Sequence, residues 1–523
     1  MDYIDEASKL TVDEIADQLK AKDALESELK QIKHQLKWLQ RQLFGQKSER
    51  RLLDMAAAGV EQLELDLGES VEESDSPAPK QTTVSEHRRK VKQRPDYLVL
   101  ENGLRFDESV PVKVIDLKPE EFENNPENFD VVSVKDTYRV ASRPASYLIL
   151  HYRRFVVKQK QSQQLETAPA PACVFEKSYA DVSLLAMVLI DKFQYHLPLY
   201  RQHQRLKNSG IFLSRSLLSN WVLRIALLLE PIVDVQKKSI LQSKVLSIDE
   251  TPIKAGVNKK KHKMKTAWFW PMMGDRNEIV FTLCTGDRRA HLKGLLSGFQ
   301  GTLLSDGNET YRRYAQSVED IDQGQCWVHT RRYFEKSTDD TPDLADKALE
   351  HIATLYKFEA RIKEENLFGE DKKAYRQQYN KPVVDQFFVW AKTTLLNYTE
   401  SPSDPIVTAL KYTLNREDEL KLHLSNPDLP MDTNDLERNL RPIPMGRKNW
   451  LFCWSEVGAH AVATIQSLIC TCKLHNVDTY AYLVDVLQRI DRHPAKDIET
   501  LTPRLWKEHH CKERLKSDLE LCQ

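Results

Sequence analysis

The sequence has no excess of either charge. Lys and Arg number 76 against 77 Asp and Glu, a formal net charge of -1. No global basic field therefore marks the chain for a polyanion, and any such surface has to come from local separation of charge. It also lacks a run approaching the roughly 18 apolar residues of a membrane span, so no membrane partner is expected. The N-terminal MDYIDEASKL is acidic and has no apolar core, which is not the pattern of a secretory signal. Eight cysteines are scattered along the chain, and none forms a CxxC pair. They read as reduced thiols of a cytoplasm, mostly small buried hydrophobes, rather than as a disulfide framework.

What is present is an ordinary globular composition, 41% hydrophobic and 29% charged over 523 residues. That length suggests about three or four domains. Residues 1–50 read as an oligomerisation helix. Leu25, Ile32 and Leu39 alternate by four and three with Leu29, Leu36 and Leu43, the a/d pattern of a coiled coil. Residues 51–95 read as a flexible linker, acidic at DLGESVEESDSPAP and basic at HRRKVKQRP. Residues 96–170 alternate like strands and suggest a small β-rich module. There Arg153, Arg154, Lys158 and Lys160 lie among aromatic residues, a pattern that suits nucleic acid or a solvated strand face equally. Residues 171–235 are helical. LYRQHQRLKNSG, a short turn and a helix opening on Ser214 follow the helix-turn-helix pattern, which also occurs in plain helical hairpins.

From 236 to 460 the character is α/β. KVLSID, KTAWFWPMM and NEIVFTLCT read as three strands. HLKGLLSGF reads as a helix, GTLLSD as a fourth strand, ETYRRYAQS as a helix and QCWVHT as a fifth strand. This order predicts a mixed sheet with helices packed on it. Residues 335–430 are almost wholly helical and read as a large insertion. The C-terminal region 461–523 is helical as well.

Three carboxylates stand out in the α/β region. Asp249 closes VLSID, and Asp306 closes LLSD just before Gly307. Two acidic strand ends can meet over a sheet edge, although Asp306-Gly307-Asn308 is also an ordinary turn sequence. Glu437 shares a helical face with Asn434, Arg438 and Arg441, while Leu436 and Leu440 face the core. That face is either an ion-pair patch or one metal ligand with phosphate clamps. Three carboxylates brought together would supply the hard oxygen ligands of two-metal phosphoryl chemistry.

At this point the sequence resembles a known family. LQRQLFGQKSER (39–50), YHLPLYRQ (195–202), IDETP (248–252), LLSDG (303–307), CWVHTRRYF (326–334), MDTNDLERNLRPIPMGRKNWLF (431–452) and YAYLVDVLQRI near 480–490 are similar to segments of bacterial insertion-sequence transposases of the insertion-sequence-66 family. The matches span nearly the whole chain in order. The resemblance implies a ribonuclease-H-like catalytic domain of the DDE type, with Asp249, Asp306 and Glu437 as catalytic and metal-binding residues. Two Mg²⁺ ions are then expected, or Mn²⁺ in their place. The resemblance puts His329, Arg331 and Arg332 near that site. Read from the residues alone, His329 ends a strand, where it orients a phosphate or is a satisfied core histidine. Asn434, Arg438, Arg441, Arg447 and Lys448 complete the candidate DNA contacts. The implied function is metal-dependent strand cleavage and strand transfer of its own insertion sequence. The implied partners are its terminal inverted repeats, target DNA, a homo-oligomer through the coiled coil, and companion proteins encoded by the same element. A DNA-binding protein or a nuclease without strand transfer is the alternative. The expected location is the bacterial cytoplasm, at the nucleoid.

The sequence departs from the family in one place. Relatives usually carry a small CxxC zinc module between the coiled coil and the catalytic domain. Residues 96–170 contain no cysteine, so zinc is not expected. Thr433 stands where relatives more often have a second asparagine. The basic loop NKKKHKMK at 258–265 is read as joining the first two catalytic strands, as a DNA contact or a solvated tip.

Overall fold

A computed structural model of the chain describes residues 98–99, 104–143, 146–171, 173–176, 178–258, 263–451, 453 and 455–521. The coiled-coil and linker expectations for residues 1–95 lie outside the described residues. The chain divides into two units, Met1–Lys92 and Gln93–Gln523, and the second contains all of the described residues.

Strands β1 (Leu98–Val99) and β2 (Arg105–Phe106) pair with each other. Beside them in sequence is a four-stranded sheet of β3 (Val112–Leu117), β4 (Phe129–Arg143), β5 (Ser146–Gln159) and β6 (Leu165–Thr167). β5 is central, antiparallel to β4 and parallel to β3, and β6 pairs further along it. The two arginines of β5 are engaged within this module. Arg153 pairs with Asp116 at 3.4 Å, and Arg154 Nε donates to the Ala168 carbonyl at 2.8 Å. Just past β5, Lys160 Nζ donates to the Glu127 carbonyl.

Helices α1 (Val182–Phe193), α2 (Leu199–Asn208) and α3 (Arg215–Ile240) come next. Gly210, at φ +79, turns the chain after α2, and Ser214 caps α3 by accepting from Leu217 N. Arg215, Ser216, Ser219 and Asn220 are exposed at its start.

The main sheet holds β7 (Val245–Ile248), β8 (Thr251–Asn258), β9 (Lys263–Gly274), β10 (Ile279–Cys284), β11 (Gly301–Ser305) and β12 (Ile321–Gln325). Its order is β10-β9-β7-β11-β12. The first three neighbours are antiparallel, and β7, β11 and β12 are parallel. β7 and β8 both pair with β9, end to end. β8 is a strand the sequence did not disclose, because its inward residues Thr251, Ile253 and Ala255 are mostly small. It also corrects the place of the basic loop. That loop joins β8 to β9, with residues 259–262 outside the described ones. Helices α4 (Arg288–Leu295) and α5 (Glu309–Gln316) connect the strands.

The fifth strand needs a correction as well. β12 is IDQGQ, and the WVHT of QCWVHT already belongs to α6 (Trp327–Glu335). Aromatic and β-branched residues suggested a strand. Trp327, Thr330 and Phe334 are buried at helical spacing instead.

From α6 the chain runs through α7 (Pro342–Glu364), α8 (Gly369–Tyr375), α9 (Lys381–Asn397), α10 (Pro405–Leu414) and α11 (Glu417–Lys421). These helices build their own core around Trp327, Phe334, Ile352, Phe387 and Phe388. Arg376, fully buried, pins that core. It forks onto Glu359 with two 2.8 Å bonds and donates to the carbonyls of His423, Asn426 and Leu429.

The chain then returns to the sheet with α12 (Asn434–Leu440), α13 (Pro442–Trp450) and α14 (Glu456–Leu474). Helices α3 and α14 are long and apolar enough to cross a membrane by length and composition. Here both are core helices. Ser467 and Thr471 of α14 accept from Phe281 N and Ile279 N, covering the outer edge of β10. Gln236 of α3 donates to the Ile279 carbonyl and to Thr471.

Removing the Arg376 guanidinium strands a half-buried carboxylate and three carbonyls. Arg376→Ala should cost about 3–5 kcal/mol in denaturant unfolding. Arg438→Ala, which breaks an exposed pair with Asp435, should cost less than about 1 kcal/mol.

Candidate active site

Asp249 directly follows β7, and Asp306 directly follows β11. The two strands are parallel neighbours, with Leu304 opposite Ser247. Each aspartate lies two residues beyond that pair. By the period of two they share one face, at equivalent places on strands roughly 4.8 Å apart. Carboxyl ends of parallel strands are where open α/β sheets hold ligands.

Local chemistry fixes both positions. Pro271 faces the break after Ile248 and has no N–H to donate. It accepts from Asp249 N at 3.3 Å, and the chain resumes as β8. Glu250 N donates to Asp249 Oδ1 at 2.7 Å. After β11, Asn308 N donates to Asp306 Oδ1 at 2.9 Å. Gly307 turns at φ +82, where a Cβ would stand 2.6 Å from both Gln325 Nε2 and Tyr412 Oη. Only glycine fits there.

Glu437 lies on α12, whose Leu436 and Leu440 are buried in the core below the sheet. Arg332 of α6 donates from Nη2 to Glu437 Oε2 at 2.6 Å. His329 Nε2 is 3.7 Å from Glu437 Oε1 and 3.2 Å from Arg332 Nη1. His329 therefore sits on a helix, one turn before Arg332, and not at a strand end as the sequence suggested.

The charges of these groups act on one another. Burial pushes the Asp249 carboxyl up to about 7, and the negative charges of Asp306, Glu437 and Glu250 push the same way. The hydrogen bond from Glu250 N opposes them. Burial lowers the proton affinity of His329, helped by Arg332 and opposed by Asp306, Glu437 and Asp432. The hydrogen bond to Glu437 holds the Arg332 guanidinium more firmly protonated.

The remaining candidates are more dispersed. Asn434 donates from N and Nδ2 to the two carboxylate oxygens of Asp432, at 2.9 Å each. Arg331 pairs along its helix with Glu335, and Arg438 with Asp435. Arg441 and Lys448 are exposed. Arg447 donates to the Pro252 carbonyl on β8.

Sequence reasoning missed several residues here. Glu250 pairs with Arg288 at 2.6 Å and accepts from Asn308 Nδ2 at 3.4 Å, tying the Asp249 and Asp306 segments together. Its place in IDETP was the available signal. Asp432 accepts from Tyr356 Oη at 2.8 Å. Tyr412 Oη donates to the Asp306 carbonyl at 2.9 Å, and Arg416 Nη2 to the Gly307 carbonyl at 3.0 Å. Nothing in the sequence signals these last contacts, which close over more than 100 residues.

Among the described residues no three His, Cys, Asp or Glu side chains converge at metal-holding spacing. Glu437 is turned to Arg332 instead. The fit of a divalent cation rests on Asp249 and Asp306. They are hard oxygen donors in adjacent positions, and a cation between them would offset the burial and the repulsion that raise Asp249.

A mixed sheet carrying acidic residues at the ends of neighbouring parallel strands, with helices packed on it, defines an α/β protein. The transposase IS66 family model matches residues 177–461, the IS66 C-terminal element residues 467–504, and the model described as transposase C of IS166 homeodomain residues 31–105. The chain belongs to the IS66 family of transposases. Membership makes DNA the partner class. Two Sinorhizobium fredii (strain NBRC 101917 / NGR234) proteins are similar to it. Uncharacterized protein y4hP is 29% identical over 70% of this chain and 69% of its own length. Uncharacterized protein y4jD is 31% identical over 65% and 69%. Among solved structures, the Drosophila P element transposase strand transfer complex matches 61% of this chain and 95% of its own, at 10% identity and a TM-score of 0.32. A superposition that loose carries no argument.

A raised carboxyl pKa destabilises the ionised, metal-free fold. Its stabilising protonated form is fully present below the unfolded value near 3.8 and is lost as pH rises through about 7. Metal-free Asp249→Asn should therefore melt above the parent at about pH 8 and level with it at about pH 4. A variant that melts below the parent at the higher pH would contradict this electrostatic account.

Proposed function

We propose that the chain is a DNA transposase that cleaves and joins strands at the ends of its own insertion sequence. In this reading Asp249, Asp306 and Glu437 are the catalytic carboxylates on a ribonuclease-H-like core. The observation that carries it is the register of Asp249 and Asp306 on parallel neighbours, within a sheet of order β10-β9-β7-β11-β12. Family membership supports it independently.

Asp249 and Asp306 would hold two Mg²⁺ ions, or Mn²⁺, with Glu437 completing the set. When bound, the cations activate the attacking oxygen and stabilise the leaving one in an in-line displacement. Glu250, through Arg288 and Asn308, keeps the two aspartate segments at a fixed spacing. Arg332 and His329, beside Glu437, meet the phosphate at the reacting centre. Arg447 and Lys448 on α13 track the backbone further out, where each contact adds to the salt dependence of binding. Arg331, Asn434, Arg438 and Arg441 are outer contacts in the same reading.

The remaining domains have supporting roles. Residues 1–50 drive self-association, 51–95 tether, and 96–170 stand in the place of the family's zinc module. The helices of 171–235 present Arg215, Ser216, Ser219 and Asn220 to a groove. The 335–430 helices are an insertion in a 236–460 catalytic domain, and 461–523 closes the fold. The protein would bind terminal inverted repeats and target DNA at the nucleoid, with companion proteins of the element.

Purified protein, a labelled element end, a target plasmid and Mg²⁺ should give nicked and joined products. Asp249→Ala, Asp306→Ala and Glu437→Ala should each lower the rate roughly a thousandfold or more. Nicking without joining would make it a nuclease. Metal-independent binding without cleavage would make it a DNA-binding protein only. Deletion of residues 1–50 should lower the sedimenting mass. An unchanged mass would remove the self-association role.

A further inference from the structure

We propose that Arg332 is a phosphate-responsive latch on Glu437. It keeps the third carboxylate from completing a metal site with Asp249 and Asp306 until a DNA phosphate draws the guanidinium off. This inference rests on the carboxylate site proposed above and adds how that site is assembled.

Three observations meet at this point. Arg332 spans from α6 to α12 and donates to Glu437 at 2.6 Å, the range of a charge-assisted hydrogen bond. Glu437 Oε1 also lies 3.7 Å from His329 Nε2. His329 is three residues from Arg332 on the same helix, within hydrogen-bond distance of its Nη1. The His329 Nδ1 is buried without a hydrogen-bond partner among the described residues. A guanidinium, a carboxylate and an imidazole with an unused nitrogen thus share one small site. Finally, the negative charge of Glu437 still reaches Asp249. The carboxylate is near the aspartates yet committed to another cation.

A guanidinium on a carboxylate is a natural mimic of a bound metal, and it competes with one. It is also the side chain best matched to a phosphate, through paired N–H donors. Arg332 is about half exposed at its side chain, with 45% of its surface accessible, so a phosphate can reach it from solvent. When it does, Arg332 exchanges one oxyanion for another, and Glu437 loses its partner in a crowded acidic site. The favourable way to neutralise it there is a divalent cation shared with Asp249 and Asp306. DNA binding and completion of the metal site are then one coupled event, and cation and DNA must each tighten the other. The Arg332–Glu437 bond in the free protein keeps the centre incomplete away from substrate.

Mn²⁺ binding to the full chain without DNA, read from the loss of the free-ion electron paramagnetic resonance signal, tests this. Arg332→Gln should bind Mn²⁺ about fivefold or more tightly than the parent. Glu437→Gln should remove that gain, so that the double variant Arg332→Gln, Glu437→Gln binds like Glu437→Gln alone. If the gain persists in the double variant, Arg332 acts only as a nearby positive charge and the latch is wrong. An unchanged or weaker affinity in Arg332→Gln overturns it as well. Arg332→Lys, which keeps the charge and loses the fork, should fall between the parent and Arg332→Gln. Asp249→Asn separates the two proposals. If it leaves Mn²⁺ binding intact, the carboxylate site itself is wrong. If it abolishes binding while Arg332→Gln changes nothing, the latch alone fails.

Discussion

The register between β7 and β11 is the constraint on which the rest of the site depends. Val245, Ser247 and Asp249 alternate with Leu246 and Ile248 along one strand. Thr302, Leu304 and Asp306 alternate with Leu303 and Ser305 along its neighbour. Both faces of this pair are buried. Val245 and Leu304 pack with Leu429 on one side, while Leu246, Ile248 and Leu303 enter the main core on the other. Sliding one strand by a single residue would send its apolar side chains to the wrong faces. It would also turn one aspartate away from the other. The same burial that stabilises the sheet therefore holds two like charges together, against their repulsion.

A sheet alone would not hold that arrangement at its ends, where the ladder stops. The segments after β7 and β11 are fixed by side chains from elsewhere. Glu250, Arg288 and Asn308 link the two turns directly. The helices between β12 and α12 supply the other side, since Tyr412 and Arg416 of the α10 region hold the carbonyls of Asp306 and Gly307. Tyr412 stacks on Tyr333 of α6 at 4.0 Å, and the Arg416 guanidinium lies 4.0 Å from the centre of the Tyr412 ring. The helices between β12 and α12 thus buttress the acidic turns. Arg376, at the heart of those helices, stiffens the support.

This division explains what could be read in the sequence. The apolar runs at VLSI and TLLS, each closed by an aspartate, gave β7, β11 and the carboxylate positions by period alone. Leu436 and Leu440, four apart, gave the buried face of α12 and so the position of Glu437 on the other side. Ser214 was legible as a cap. The failures have equally local causes. β8 carries small inward residues, so its alternation is faint. CWV has strand composition, but the spacing of Trp327, Thr330 and Phe334 is helical, and His329 went to the wrong element with it. The contacts of Tyr412, Arg416 and Arg332 leave no local trace, because each depends on how a long insertion folds back. Glu250 was visible in IDETP but could not be separated from its neighbour until Arg288 was seen beside it.

In the proposed function, an acidic centre that receives a polyanion faces a conflict that net charge cannot resolve, since the chain as a whole carries -1. The resolution has to be local. Around the carboxylates the guanidiniums of Arg288 and Arg332 are each bound to an acidic side chain. That of Arg416 is bound to backbone carbonyls. Such pairing offsets part of the negative charge of the site and limits the cost of burying it. It also means that phosphate cannot simply add to a waiting positive patch. In the proposed latch it takes the guanidinium from Glu437, and the carboxylate then needs a new cation. In that reading, placing arginines against the acidic groups makes the approach of the polyanion and the demand for a divalent metal two sides of one charge balance.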